Sequence, residues 1–184
     1  MPKTVLNVGC GHRLLQRLHP RFQGPDWHEV RLDIDPDMEP DIVCSMTDMA
    51  PIPDSSIDAI WSSHNLEHLY RHEVPQALSE FMRVLCPNGL LFLTLPDLQR
   101  VAELVADDKA EDQAYVSPSG PITPLDMMFG HGASLAHGHF NMAHKGGFTA
   151  NSLFRQLVAA GFDEAVVHRG DAFDLWASAQ KPAS

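Results

Sequence analysis

Three groups of residues in this chain have the types and spacing to do chemistry. The first is the turn Gly9-Cys10-Gly11, which ends an apolar run from Val5 to Val8. Glycines there permit backbone conformations and close ligand approach that a Cβ would obstruct. About 20 residues further on, Asp33 closes a second apolar run, where a carboxylate can accept hydrogen bonds from both ribose hydroxyls and repels a phosphorylated ribose. Together they point to a nucleoside-containing ligand. The dinucleotide fingerprint would continue as GxGxxG, but Leu14 stands in the place of the third glycine, and no GxxxxGK[ST] phosphate loop occurs.

The second group is HNLEHL, His64 to Leu69. On a helix, His64 and His68 would share one face at i and i+4, a spacing that can chelate zinc, although HExxH is not what is written. Glu67 and His68 can equally steady that helix and cap the sheet. The third group is His131, His137, His139 and His144, four histidines within fourteen residues. They could line a substrate, lie on the surface, act as hydrogen-bond partners or bases, or chelate an ion. Their spacing defines no metal site, and no metal is expected.

The elements that must position these groups follow from periodicity. Short β-branched or leucine-rich runs at Thr4 to Val8, Val30 to Asp33, Asp41 to Cys44, Ile57 to Ser62 and Gly89 to Leu95 read as buried strands. Glu73 to Leu85 carries apolar residues at helical spacing and is stopped by Pro87, Asn88 and Gly89. Pro20, Gly24 and Pro25 leave space between the first two strands only for a short helix around Leu14 to Leu18. Thr149 to Ala160 reads as another helix, followed by strands at Glu164 to His168 and Phe173 to Ala179 joined by a tight turn. Strand-helix alternation of this kind builds a parallel sheet covered by helices. The stretch from Leu98 to Gly147 breaks the alternation. It should open with a helix, Leu98 to Asp107, and continue irregularly through SPSGPITP and the histidine-rich segment. Met127, Met128, Phe129, Phe140 and Met142 make that stretch apolar enough for a lid packed over a pocket.

A chain of 184 residues with 44% hydrophobic residues has material for one core, so residues 1–184 read as a single domain with 98–147 inserted in it. The formal net charge of −11 disfavours phosphate backbones and anionic lipid as partners, leaving a small molecule or a protein. Three scattered cysteines, Cys10, Cys44 and Cys86, form no CxxC pair and fit a reducing, cytoplasmic setting. No window holds the roughly 18 apolar residues of a membrane span.

Four stretches, in order, resemble the class I S-adenosylmethionine-dependent methyltransferases, especially those with type 11 domains: VLNVGCGH (Val5 to His12), RLDIDP (Arg31 to Pro36), PIPDSSIDAIWSSHNLEHL (Pro51 to Leu69) and EFMRVLCPNGLLFLTLPD (Glu80 to Asp97). GFTANSLFRQLVAAGFDE near the C-terminus adds to the likeness. The resemblance implies a Rossmann-like α/β sandwich, with a mostly parallel seven-stranded sheet and an antiparallel C-terminal hairpin strand. It also implies S-adenosylmethionine as cofactor. The cofactor would be bound by Asn7, Gly9, Cys10, Gly11, Asp33, Ile34, Met46, Thr47, Asp48, Ser63 and His64, with Met46 to Asp48 near the adenine.

The chain departs from the family in its shortened first helix, its missing N-terminal cover and its lack of a clean third-strand acid. Methyl transfer from a sulfonium needs chiefly alignment and exclusion of water, worth on the order of 7 kcal/mol. A base is needed only if the acceptor must lose a proton, and His64 and His144, with His68, are the candidates. The acceptor expected is a small molecule, a protein side chain being the other option. The competing reading is a cofactor-binding regulatory or scaffold protein without turnover. An NAD-linked or metal-dependent enzyme is disfavoured by the missing glycine.

Overall fold

The computed structural model describes residues 2–15 and 17–183. Its first half alternates as expected: β1 (Lys3–Val8), β2 (Trp27–Asp33), β3 (Ile42–Val43), β4 (Ile57–Ser63), α1 (Val74–Val84), β5 (Leu85–Pro96) and α2 (Leu98–Ala106). A small hairpin, β6 (Tyr115–Ser117) and β7 (Gly120–Ile122), and two short helices, α3 (Pro124–Phe129) and α4 (Gly132–Ala136), follow. The chain closes with α5 (Ala150–Ala159), β8 (Asp163–Arg169) and β9 (Asp174–Gln180).

Seven strands form one sheet in the order β3-β2-β1-β4-β5-β9-β8. The pairs from β3 to β5 are parallel, whereas β9 runs antiparallel to both β5 and β8. This is the expected α/β architecture. Val5 to Val8 of β1 are all buried, because a central parallel strand is covered on both faces. In α1, Val74, Ala77, Leu78, Phe81 and Val84 form the buried stripe that seats the helix on the sheet. In α5, Leu153 and Leu157 do the same.

Three local differences from the sequence reading have physical causes. Leu85 ends α1 in an extended conformation and already pairs with Ile57, so β5 starts before the Pro87-Asn88-Gly89 turn and carries that turn as a bulge. The stretch around SPSGPITP is regular: Ser117 and Gly120 close the β6–β7 hairpin, and Thr123 caps α3 through a reciprocal bond with Asp126. Between β1 and β2, Arg13–Leu15 and Pro20–Phe22 are single 3-10 turns; part of the helix expected around Leu14 to Leu18 lies outside the described residues.

The 98–147 segment is pinned at its stem. Asp97 bridges Phe148, the Leu98 N–H donates to the Phe148 carbonyl at 2.9 Å, and the Asp97 N–H donates to Phe173 O at 2.8 Å. Val101, Ile122 and Met127 form a separate small core within it. The apolar side chains of this segment are buried unevenly. Met127 is buried, but Phe129 and Phe140 are 59% and 74% exposed, because α4 and the turn Phe140–Met142 have no layer over them. Among the described residues no helix is long and apolar enough to cross a membrane.

Candidate functional site

The glycine turn, Asp33, Ser63 and His64 all lie at the carboxyl ends of adjacent strands β1, β2 and β4, where open α/β sheets take their ligands. Gly9 and Gly11 both have φ in the left-handed region, +64° and +63°. A methyl group on Gly9 would overlap the Asn65 side-chain amide, which is held in place by donating to Val8 O at 2.8 Å and Ser63 O at 3.0 Å. The turn is therefore a cradle that requires glycine.

Asp33 is buried, and its two carboxylate oxygens accept backbone N–H groups from Gly11 at 2.9 Å and Asp35 at 3.0 Å. Each oxygen retains a second lone pair, so the carboxylate is fixed in orientation yet able to accept from vicinal hydroxyls. Beside it, Ile34 is 56% exposed and offers an apolar surface for a flat base. Met46 and Thr47 are half-buried in the turn after β3, Asp48 is exposed, and the Thr47 and Ser45 hydroxyls bond each other at 2.8 Å. These features fit the nucleoside part of S-adenosylmethionine.

Two of the expected residues have their side chains engaged elsewhere. Asn7 is buried and donates its amide to Glu29 Oε1 at 2.7 Å. Cys10 is buried, burial pushes its thiol up to about 11, and its N–H donates to Leu32 O. Arg17 and Asn65 were not foreseen. The Arg17 guanidinium packs beside Gly11, and its backbone carbonyl is anchored by the Trp61 indole N–H at 2.8 Å. A cation there suits a carboxylate ligand group. The sequence clue was an arginine soon after the glycine turn, masked by the irregular stretch around it.

HNLEHL does not form the helical face expected of it. Only Leu66–His68 is helical, a single 3-10 turn, and His64 has φ +57°. That conformation turns His64 towards Glu67, with Nδ1 3.4 Å from Oε1. Glu67 is 1% exposed and, among the described residues, neither of its oxygens has a hydrogen-bond donor. A buried carboxylate left this way costs on the order of 1–3 kcal/mol or more. Burial pushes Glu67 up, but the His64 contact and the charges of His64, His68 and His144 outweigh burial and hold it below the usual carboxylate range. Burial lowers His64, but Glu67 overrides that and raises it; for His144 burial prevails and the ring is held below the usual range.

The insertion returns to this point. The N–H groups of Lys145 and Gly146 donate to the Glu67 backbone carbonyl at 2.8 and 3.0 Å. That contact brings His144 against His68, with ring centroids 4.9 Å apart. Of the four histidines of the insertion, His144 alone joins this cluster. His131 bonds Ser134, His137 bonds the Ala133 carbonyl, and His139 is exposed. Ser63 pairs with the Thr94 hydroxyl at 2.8 Å behind the site. A concavity lined by Pro2, Lys3, Pro25, Asp26 and Trp27 lies at the opposite, amino-terminal end of β1 and β2 and holds none of these groups.

Residues 6–93 match the family of proteins described as methyltransferase domains. No curated protein matches the chain in sequence. Among solved structures, a SAM-dependent methyltransferase from Methanosarcina mazei is 15% identical, covers 100% of this chain and 94% of its own, and superposes with a TM-score of 0.68. One from Archaeoglobus fulgidus is 15% identical over 98% of this chain and 86% of its own, with a TM-score of 0.62. A Thermotoga maritima protein, a SAM-dependent methyltransferase described as a possible histamine N-methyltransferase, is 15% identical over 98% and 84%, with a TM-score of 0.61. At these identities the structures speak to the fold, and the family match is confined to residues 6–93. The chain thus shares its fold with S-adenosylmethionine-dependent methyltransferases, and the part that matches the methyltransferase-domain family, residues 6–93, carries the cradle at Gly9 and the carboxylate at Asp33.

Proposed function

We propose that the protein methylates a small-molecule acceptor held beneath the 98–147 segment, which acts as the lid of a single domain. The observation that carries this reading is the convergence of the glycine cradle, Asp33 and His64 on one end of the sheet, where an insertion pinned at Asp97 and Phe148 returns to the turn after β4. S-adenosylmethionine supplies an electrophilic methyl group on a sulfonium that departs as a neutral sulfide.

Asp33 accepts from the ribose hydroxyls, and Ile34 with Met46, Thr47 and Asp48 flanks the base. Gly9, Cys10 and Gly11 give close backbone approach to the amino-acid portion, whose carboxylate pairs with Arg17. Ser63 and His64 border the methyl group. His64 is about half exposed, and Nδ1 is turned to Glu67, so Nε2 is the atom that takes a proton from an acceptor that must lose one. His144, with Nδ1 on the Met127 carbonyl at 2.8 Å, faces the cluster from the lid. The overall negative charge favours a cationic cofactor and disfavours nucleic acid. The three free cysteines fit a cytoplasmic location.

Calorimetric titration with the demethylated cofactor tests the first half. Binding by the wild-type chain, weakened about tenfold to a hundredfold by Asp33→Ala, is expected, since charge-assisted bonds contribute roughly 1.5–3 kcal/mol; unchanged affinity in the variant refutes the ribose assignment. Incubation with methyl-labelled cofactor and fractionated cell extract tests the second. Label in the small-molecule fraction supports the reading, and label in protein alone refutes it.

A further inference from the structure

The cluster around Glu67 contains more than proton transfer requires. One ligand atom each from Glu67, His68 and His144 lie within 4.8 Å of one another. Nδ1 of His68 lies 3.1 Å from the Ala143 carbonyl, and Nδ1 of His144 lies 2.8 Å from the Met127 carbonyl. A carbonyl accepts only from N–H, so both rings are fixed as the Nδ1–H tautomer and the free lone pair of each is on Nε2. This is the arrangement by which metal-binding histidines are oriented, the second nitrogen being tied to a backbone carbonyl. The third member is an anion, 1% exposed, whose oxygens have no donor among the described residues.

The geometry points to a binding site for one divalent transition-metal ion, held by Glu67 and the Nε2 atoms of His68 and His144. Two imidazoles and one carboxylate are a donor set for zinc and its first-row neighbours, and they exclude the oxygen-only preference of calcium and magnesium. Around such an ion tetrahedral ligands stand about 3.4 Å apart, so small side-chain rotations close the cluster. Three protein ligands leave at least one position for water or for an oxygen or nitrogen of another molecule. Because Glu67 adjoins His64 at the end of β4, that position opens on the acceptor side of the proposed methyl transfer. This last step rests on the methyltransferase reading; the ion site itself does not. His144 also gives the ion a structural consequence, tying the end of the insertion to the turn after β4.

The test uses the full chain stripped with chelator and titrated with Zn²⁺ alone at pH 7.5, followed by calorimetry, with Co²⁺ absorption as a second signal. One equivalent is expected to bind. His144→Ala should weaken binding by well over a hundredfold, beyond the roughly 10–100-fold that loss of a tautomer-fixing partner costs. His137→Ala with His139→Ala should leave binding unchanged. Glu67→Gln should abolish it, and if that variant fails to fold by circular dichroism, His68→Ala replaces it. Failure of the folded wild-type chain to bind an equivalent overturns the site, as does equal loss in the His137/His139 variant. The demethylated cofactor is titrated in parallel. Cofactor binding without zinc binding refutes the ion site alone, and zinc binding without cofactor binding refutes the methyltransferase reading alone.

Discussion

Asp33, at the carboxyl end of β2, and Glu67, in the turn after β4, are both buried carboxylates on either side of β1, yet their surroundings differ in kind. Both oxygens of Asp33 take backbone N–H groups, one from the glycine turn and one from the residue two positions on. Glu67 takes none among the described residues, and the groups that face it are imidazoles, one of them delivered from 77 positions away by the insertion. The first carboxylate is satisfied by local backbone and is complete as soon as β1 and β2 pair. The second has no donor among the described residues and is faced only by groups that tertiary structure brings to it, so its chemistry depends on the insertion and on what the insertion brings.

The sharpest way to break this comparison is to damage the local half. Gly9→Ala puts a methyl into the Asn65 amide at a backbone conformation that disfavours side chains. It should cost about 3 kcal/mol, as left-handed strain and overpacking add. Urea unfolding should show a lowered midpoint, and a midpoint equal to wild type would mean the turn relaxes freely. Asp33→Asn comes next. An amide can accept at only one of the two positions now serving Gly11 and Asp35, leaving a backbone N–H without its partner. A loss of about 2 kcal/mol is expected by the same measurement. A stability as high as wild type would show that Asp33 is held by the ligand site rather than by the fold.

That division also explains what could be read in the sequence. The glycine turn, Asp33 and the order of the strands are local: β-branched runs, a Gly-x-Gly step and the distance to the next strand define them. The Glu67 cluster is not local. Its members are separated by an insertion with no period, and it takes the N–H groups of Lys145 and Gly146 on the Glu67 carbonyl, with His68 on the Ala143 carbonyl, to bring His144 home. HNLEHL misled for a related reason. Six residues at helical spacing are equally consistent with one 3-10 turn, and what decides between them is the left-handed φ of His64 beside Asn65, which reaches back to β1. The i and i+4 pairing of His64 and His68 thus gave way to His64 on Glu67. Pro118 and Ser119, read as irregular, are simply the tip of a hairpin.

A third carboxylate sharpens the contrast between backbone and side-chain satisfaction. Glu80 accepts from Arg83 through both Nε and Nη2 at 2.8 Å and from the Met49 N–H at 2.7 Å, and the Arg83 bonds above all hold it below the usual carboxylate range. A folded value below the unfolded one means the contribution is fully present above the ordinary carboxylate range near 4.5 and is lost as pH falls through the lower folded value. Wild type should therefore lose about 1 kcal/mol more than Glu80→Gln between neutral pH and pH 3. Parallel thermal midpoints of the two proteins across that range would remove Glu80 from the acid response.

Cys10 is expected to give the smallest effect, and it separates shape from reactivity inside the glycine turn. It lies between the two glycines of the cradle at the carboxyl end of β1, but its side chain is buried in the core and its thiol is raised to about 11, chiefly by burial, with Asp33 and Glu29 adding to the rise and Arg31 opposing it. At pH 8 only on the order of one thiol in a thousand is ionised at such a value, and the thiolate is the reacting form. Iodoacetamide followed by mass mapping should label Cys86 well before Cys10 in the native chain. Labelling of Cys10 at a comparable rate would mean that the turn opens without global unfolding. In that case the local carboxylate, like the distant one, would depend on something bound to complete it.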